Sequence, residues 1–208
     1  MENFSFVVDG LFCGVATDNH DASETAGKAK AAYKVWRSMI MSCYMTGDTE
    51  FCVCDDWLVF SNYKKWYLDN KKPDHALDFS IIQKSKLYSP ETCVFTPKYL
   101  LYCFPYPSKE TTKSGGLLGT SKVKNKERWL AVYVSKYKRL KHLGTFDSEL
   151  EAHHVWLRYV VSKCEMNLDY YHPTNKYYNE TVYDNAVGKL NFLKNVLATG
   201  GVFKGEYA

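Results

Sequence analysis

Between residues 105 and 121 the chain turns to Pro, Ser, Thr, Lys and Gly, with Gly115-Gly116 in the middle. A stretch of this composition connects folded parts and does not build one. Whatever folds before it and after it must therefore find its own apolar interior. The chain has 208 residues, 46% hydrophobic and 16% aromatic, which suffices for one compact domain or two small ones tied together. The expected organisation is a first domain over 1–104, a connector over 105–118, a second domain over 119–165, and a closing loop and helix over 166–208.

Periodicity places the elements. Residues 1–25 read as a short strand or arm, Phe4 to Val8, followed by a polar loop. Over 26–44 the apolar positions Ala26, Ala29, Tyr33, Trp36, Ile40 and Cys43 recur at three- and four-residue spacing, the signature of one helix face. Residues 52–57 predict a strand running into a helix that carries Trp57, Phe60, Tyr63 and Trp66, aromatics whose spacing suits a core better than a stacking platform. A strand over 77–83, a Ser-Pro-Glu turn within 88–96 and a short helix opened by Pro97 complete the first part. Beyond the connector, 129–135 and 139–146 predict two strands. Asp147 or Ser148 then caps a helix over 148–163 with Ala152, Val155, Trp156, Tyr159 and Val160 on its apolar side. A last helix is expected over 180–197. The fold class is thus α+β.

Charge is segregated. Residues 109–143 hold ten basic side chains against Glu110 and Glu127, so the window carries +8, and with a total of +4 the rest of the chain carries −4. A basic patch of this kind is the footprint of a phosphate-backbone binder, and its rival is a solvated lysine-rich surface. Seven cysteines, an odd number without a C-x-x-C pair, argue against a disulfide framework and for reduced thiols in a cytoplasm. Cys52 and Cys54 with Cys43 or Cys93 form a conceivable thiolate metal set, but the spacing is not that of a zinc finger, and buried free thiols are the preferred reading. Apolar runs fall far short of the roughly 18 residues that a spanning helix needs. No charged segment precedes an apolar stretch as in a secretory leader, so a soluble chain that is not secreted is expected.

The second part then carries a specific pattern. Gly119-Thr120-Ser121, Arg128-Trp129-Leu130-Ala131-Val132 and Leu143-Gly144-Thr145-Phe146-Asp147-Ser148-Glu149-Leu150-Glu151-Ala152 resemble the DNA-binding domain of the Apetala/ethylene-response-factor (ERF) type. The resemblance implies three antiparallel strands packed on one helix, with the sheet entering the major groove of double-stranded DNA and long cationic side chains reaching phosphates and base edges. Carried over by position, Lys122, Lys124, Lys126, Arg128 and Trp129 are the first contact candidates, with a place in the core as the competing role for Trp129. Tyr133, Lys138, Arg139 and Lys141 come next.

The first part resembles the HNH-type endonuclease half found with this domain in phage homing endonucleases. The matching residues are Tyr33-Lys34-Val35-Trp36, Cys43-Tyr44, Val53-Cys54-Asp55-Asp56-Trp57, Phe60 and, most specifically, Tyr88-Ser89-Pro90-Glu91-Thr92-Cys93-Val94-Phe95. An HNH centre needs a base, usually His, and a His, Asp or Asn ligand for the divalent metal. Where relatives show Leu-Asp-Lys-Asp, this chain has Leu77-Asp78-Phe79-Ser80, and where they place an Asn it has Lys98-Tyr99-Leu100-Leu101. His75 and Asp78 are the only nearby substitutes, and a lone His beside a proline-containing loop reads as exposed. The expectation is a degenerate nuclease-derived protein, a sequence-specific, non-cleaving repressor of a phage or mobile element in a bacterial host cell. No cofactor or metal is expected. An active HNH homing endonuclease using Mg²⁺ and an interaction protein that inhibits a host factor are the alternatives. A single reader covers a short site, so a homodimer through the final helix is a further expectation.

Overall fold

The computed structural model describes residues 7–21, 27–45, 50–78, 81, 86–105, 116–134 and 140–207. The fold is α+β, and it divides into two compact units, Met1–Thr96 and Pro97–Ala208. The expected boundary lay at 104/105. The difference has a local cause: Pro97 ends one strand and starts a one-turn helix whose Leu100, fully buried, and Cys103, 4% exposed, belong to the interior of the second unit.

The first unit opens with a hairpin, β1 (Val7–Val8) and β2 (Leu11–Phe12), closed by Asp9-Gly10 with both φ angles positive, at 50° and 78°. That backbone suits the right-handed twist of the strands, and Asp-Gly adopts it at low cost. Helix α1 (Gly27–Tyr44) buries Ala32, Trp36, Met39, Ile40 and Cys43. The stripe is rotated from the expected one: Ala32 and Met39 take the places given to Ala29 and Tyr33, which are half-buried, and Ala26 lies outside the described residues. Strand β3 (Cys52–Val53) stops sooner than expected, because Asp55–Leu58 coil into a 3-10 turn before α2 (Phe60–Asn70). Trp57, Phe60, Tyr63 and Tyr67 are all at least 97% buried, and Trp36 Nε1 donates to the Trp57 carbonyl at 2.7 Å. This aromatic group is the core of the unit. Strand β4 (His75–Asp78) pairs with β6 (Val94–Pro97), and β5 (Leu87–Tyr88) pairs in parallel with β3. The Tyr-Ser-Pro-Glu-Thr-Cys string is the turn between β5 and β6: Ser89 Oγ donates to Glu91 Oε2 at 2.6 Å, and Thr92 Oγ1 accepts from Ser89 N–H at 2.9 Å.

The second unit starts with α3 (Lys98–Leu101). Strands β7 (Thr120–Lys122), β8 (Trp129–Val134) and β9 (Leu140–Phe146) form one antiparallel sheet in the order β7-β8-β9. Helix α4 (Glu149–Tyr170) packs against all three strands. Ser148 caps it by accepting from Glu151 N–H at 3.1 Å, as its position before the apolar stripe led one to expect. The helix runs seven residues past the expected 163, because Cys164 and Leu168 continue its buried stripe against α3 and the final helix α5 (Glu180–Ala198). Helix α5 buries Val182, Ala186, Leu190 and Leu193, and it packs along α4. Its apolar stripe is thus taken up within the unit. No described helix is long and apolar enough to cross a membrane.

Gly119 makes room for a helix side chain against the sheet, and Gly144 makes room for a ring of its own strand. Gly119 has φ +74°, and a Cβ there would lie 2.0 Å from Trp156 Cγ. Gly144 has φ +143°, and its Cβ would lie 2.7 Å from the Phe146 ring. Gly144 also follows the β9 bulge, where Ala131 pairs Gly144 and Val132 pairs His142, leaving Leu143 without a partner across the strand.

Candidate nucleic-acid interface

The register decides which side chains of the sheet can meet a ligand. Successive residues of a strand point to opposite faces, and directly paired residues share a face. Ala131 is fully buried under α4, and the Tyr133 ring packs edge-on to Tyr159 of that helix at 4.9 Å. Trp129, Ala131 and Tyr133 therefore make up the helix side of β8, together with their partners Phe146, Gly144 and Lys141. Lys141 confirms this, its Nζ resting 4.6 Å from the Tyr159 ring centroid. Lys122 pairs with Trp129 and so lies on this side too.

The opposite, open face carries Leu130, Val132 and Val134 from β8, Ser121 from β7, and Leu140, His142 and Thr145 from β9. Leu130 and Val132 are half-buried, while Val134 and Leu140 are 57% and 55% exposed. Arg128 precedes β8 in the same alternation. Its guanidinium donates to the Thr145 carbonyl at 3.2 Å and pairs with Asp147 at 3.0 Å. The face that the resemblance assigns to the major groove is therefore mainly aliphatic. This reorders the contact candidates: Trp129, Tyr133 and Lys141 face the helix side, Arg128 stands at one end of the open face, and Lys138 and Arg139 lie outside the described residues.

The remaining cations gather at the β7–β8 turn. Val123 N–H donates to the Arg128 carbonyl at 2.9 Å and Lys126 N–H to the Val123 carbonyl at 3.2 Å, and Asn125 adopts φ +59°. This tight turn folds Lys122, Lys124 and Lys126, together with Val123, Asn125 and Glu127, around a concavity of about 360 Å³. Lys122 pairs with Glu127 at 3.1 Å. Lys124 and Lys126 are exposed and form no ion pair with a described residue. Such surface pairs as Lys122–Glu127 contribute at most about 1 kcal/mol, so a phosphate can displace the glutamate at little cost.

In the first unit His75 and Asp78 occupy the two ends of β4. Residues three apart on a strand point to opposite faces, so these two side chains do not converge on one point. The expectation of an exposed His75 is corrected: it is 6% exposed, because β4 carries it into the unit and its Nδ1 reaches the Pro73 carbonyl. Burial lowers its pKa below the ordinary value. Asp78, 3% exposed, accepts from Ile81 N–H at 3.1 Å and from Thr96 Oγ1 at 3.4 Å, which ties the end of β4 to β6. Among the described residues no three His, Cys, Asp or Glu side chains are placed to hold a metal ion. Burial pushes the Cys43 thiol up to about 11 and the Cys93 thiol up to about 12, so both are held as neutral thiols.

One feature of the interface escaped the sequence reading: the aliphatic open face itself. Its signal was present, since 129–134 is apolar at both parities, Trp-Ala-Tyr on one and Leu-Val-Val on the other. A strand with one solvated, cation-bearing face alternates apolar with polar. Comparison with models of known protein families, with curated proteins and with solved structures finds no match to this chain.

Proposed function

We propose that this chain binds double-stranded DNA without cutting it and acts by occupying its site, as a transcriptional repressor does. The observation that carries the reading is the Lys122–Lys124–Lys126 concavity at the β7–β8 turn. A phosphate seated there meets up to three ammonium groups, and contacts of this kind supply most of the affinity of a protein for duplex DNA. Arg128 beside the turn adds a planar donor fork that exchanges Asp147 for a phosphate or a guanine edge. The non-cleaving part of the reading rests on β4, where His75 and Asp78 diverge and Asp78 is bonded within the fold.

The test is the salt dependence of binding by the full chain to a genomic fragment selected for affinity. Replacing Lys122, Lys124 and Lys126 with Ala should reduce the slope of log K against log salt by roughly 0.9 for each lost phosphate contact. An unchanged slope in a folded protein overturns the assignment. Incubation of the same complex with Mg²⁺ or Mn²⁺ should leave the DNA intact. Nicking that Asp78→Ala abolishes would establish the nuclease alternative instead.

A further inference from the structure

We infer that His153 is a proton-operated latch: when its ring takes up a second proton, the segment 202–207 swings away from the second unit while the helices and the sheet stay folded. The ring lies fully buried on α4, between two backbone groups of opposite kind. On one side Nδ1 faces the Leu118 carbonyl at 2.8 Å, and on the other Nε2 faces the Phe203 N–H at 3.1 Å. A carbonyl accepts and an N–H donates, so the neutral ring with its proton on Nδ1 satisfies both. The charged ring satisfies one of them. With a proton on each nitrogen it still donates to Leu118, but toward Phe203 it sets N–H against N–H. The bond that protonation breaks is therefore the one to the segment.

The segment has little else polar to hold it. Among the described residues, 202–207 make one further hydrogen bond, from the Tyr207 hydroxyl to the Pro105 carbonyl at 3.4 Å. The rest is ring contact: Phe203, 1% exposed, lies 6.3 Å from Phe192, and Tyr207 lies 5.8 Å from Phe192 and 6.3 Å from Phe104. The pivot is built in as well. Gly201 is tied on both sides, its N–H donating to the Val196 carbonyl at 2.8 Å and its carbonyl facing His154 Nε2 at 2.8 Å. That nitrogen donates whether the His154 ring is neutral or charged, so Gly201 stays docked in both states and the chain turns beyond it.

Electrostatics set the direction. On α4, His154 opposes a charge on the His153 ring, and Glu149, one turn earlier, favours it. The Glu149 carboxylate is already engaged by the Leu117 N–H and the Thr120 hydroxyl. The lead into β7, 116–121, brings no ionisable side chain. Helix α5 brings Lys189, held over the Tyr207 ring at 4.3 Å, and the segment's own Lys204 and Glu206 are exposed. Burial is the largest of these influences and holds the ring below its ordinary pKa. Opening the segment gives the charge water, so the open state binds the proton more tightly and acid favours opening.

The experiment uses the full chain and nuclear magnetic resonance from about pH 7.5 to about pH 5, on either side of the ordinary His value. It follows amide exchange, corrected for the intrinsic effect of pH, together with the ring C–H signals of His153 and His154. Protection of the Phe203 amide should fall by about tenfold for each unit that separates the open-state and closed-state pKa values. The amides of α4 and β8 should keep their protection, and the loss at Phe203 should track the His153 ring. In His153→Gln the Phe203 amide should exchange at a corrected rate that no longer depends on pH. The inference is overturned if Phe203 stays protected until α4 loses its own protection, since that is unfolding of the whole unit. It is equally overturned if the loss tracks His154, or if His153→Gln keeps the pH response of the parent. Should the glutamine variant fail to fold, the parent decides by itself: coinciding midpoints for the His153 ring and the Phe203 amide support the latch, and separate midpoints overturn it.

Discussion

Gly119→Ala should destabilise the second unit, and the size of the effect can be worked from two separate causes. Gly119 has φ +74°, a conformation that costs a residue with a Cβ about 1–2 kcal/mol. The added methyl would also lie 2.0, 2.2 and 2.3 Å from Cγ, Cδ2 and Cδ1 of Trp156, well inside contact distance. Trp156 is 6% exposed and its ring lies tilted against His153 at 5.4 Å between ring centroids, so it has little room to move. Forcing an extra methyl into such a site costs about 1–3 kcal/mol. The total is about 2–5 kcal/mol, a large share of the 5–15 kcal/mol that holds a typical domain. In urea titration followed by tryptophan fluorescence and backbone circular dichroism, a slope of about 2 kcal/mol per molar moves the midpoint down by about 1–2.5 M. The two causes separate in a double-mutant cycle. With Trp156→Leu the flat ring is gone, and Gly119→Ala should then cost only the conformational part, about 1–2 kcal/mol. A cost that does not fall in the Leu background, or one below about 1 kcal/mol in the parent, would refute the argument that Gly119 is there to admit the indole.

Two further outcomes follow from the same unit. Glu149 Oε1 accepts from Leu117 N–H at 2.7 Å and from Thr120 Oγ1 at 2.9 Å, tying the start of β7 to the first turn of α4; Glu149→Ala should cost about 1–3 kcal/mol and raise amide exchange at Leu117 roughly tenfold or more, and unchanged protection there would contradict it. His153 is fully buried, and because Phe203 N–H can only donate to its Nε2, at 3.1 Å, its proton sits on Nδ1 and is donated to the Leu118 carbonyl at 2.8 Å. Burial lowers the His153 pKa, so below about 6.5 the unfolded chain takes up the proton first. The His153 contribution to stability is therefore complete above that pH and declines as the pH falls toward the folded value. The unfolding midpoint should drop on acidification below about 6.5, and His153→Gln should flatten that dependence; an equal slope in the variant would show that another group titrates.

Much of this architecture was legible from the residues. The spacing of Ala152, Trp156 and Val160 announced α4, and Ser148 announced its start, because caps and stripes act over one or two turns of the same helix. The end of α4 was not legible in the same way: Cys164 and Leu168 are apolar only toward α3 and α5, which arrive from distant parts of the chain. The same holds for Pro97, whose ability to open a helix was visible, while the unit that helix joins was not. At the candidate site, charge marked the window 109–143 and the resemblance singled out Lys122, Lys124 and Lys126 within it, while the tight β7–β8 turn that gathers them was not foreseen. His75 was misread as exposed, because a proline loop says nothing about the strand that follows it.

What the sequence determined by itself was the helices, strands β8 and β9, the Ser148 cap, and the clustering of positive charge from Lys109 onward. These depend on neighbours within a few residues. Only the tertiary structure decided which side of β8 is covered. Both parities of 129–134 are apolar, so alternation cannot choose between them. The choice falls to packing: Ala131, fully buried, and Gly119, against Trp156, are small enough to let α4 approach the sheet, and the alternation takes Trp129, Tyr133 and Lys141 to the same side. Leu130, Val132, Val134 and Leu140 are left facing outward because the helix that would cover them is already on the other side.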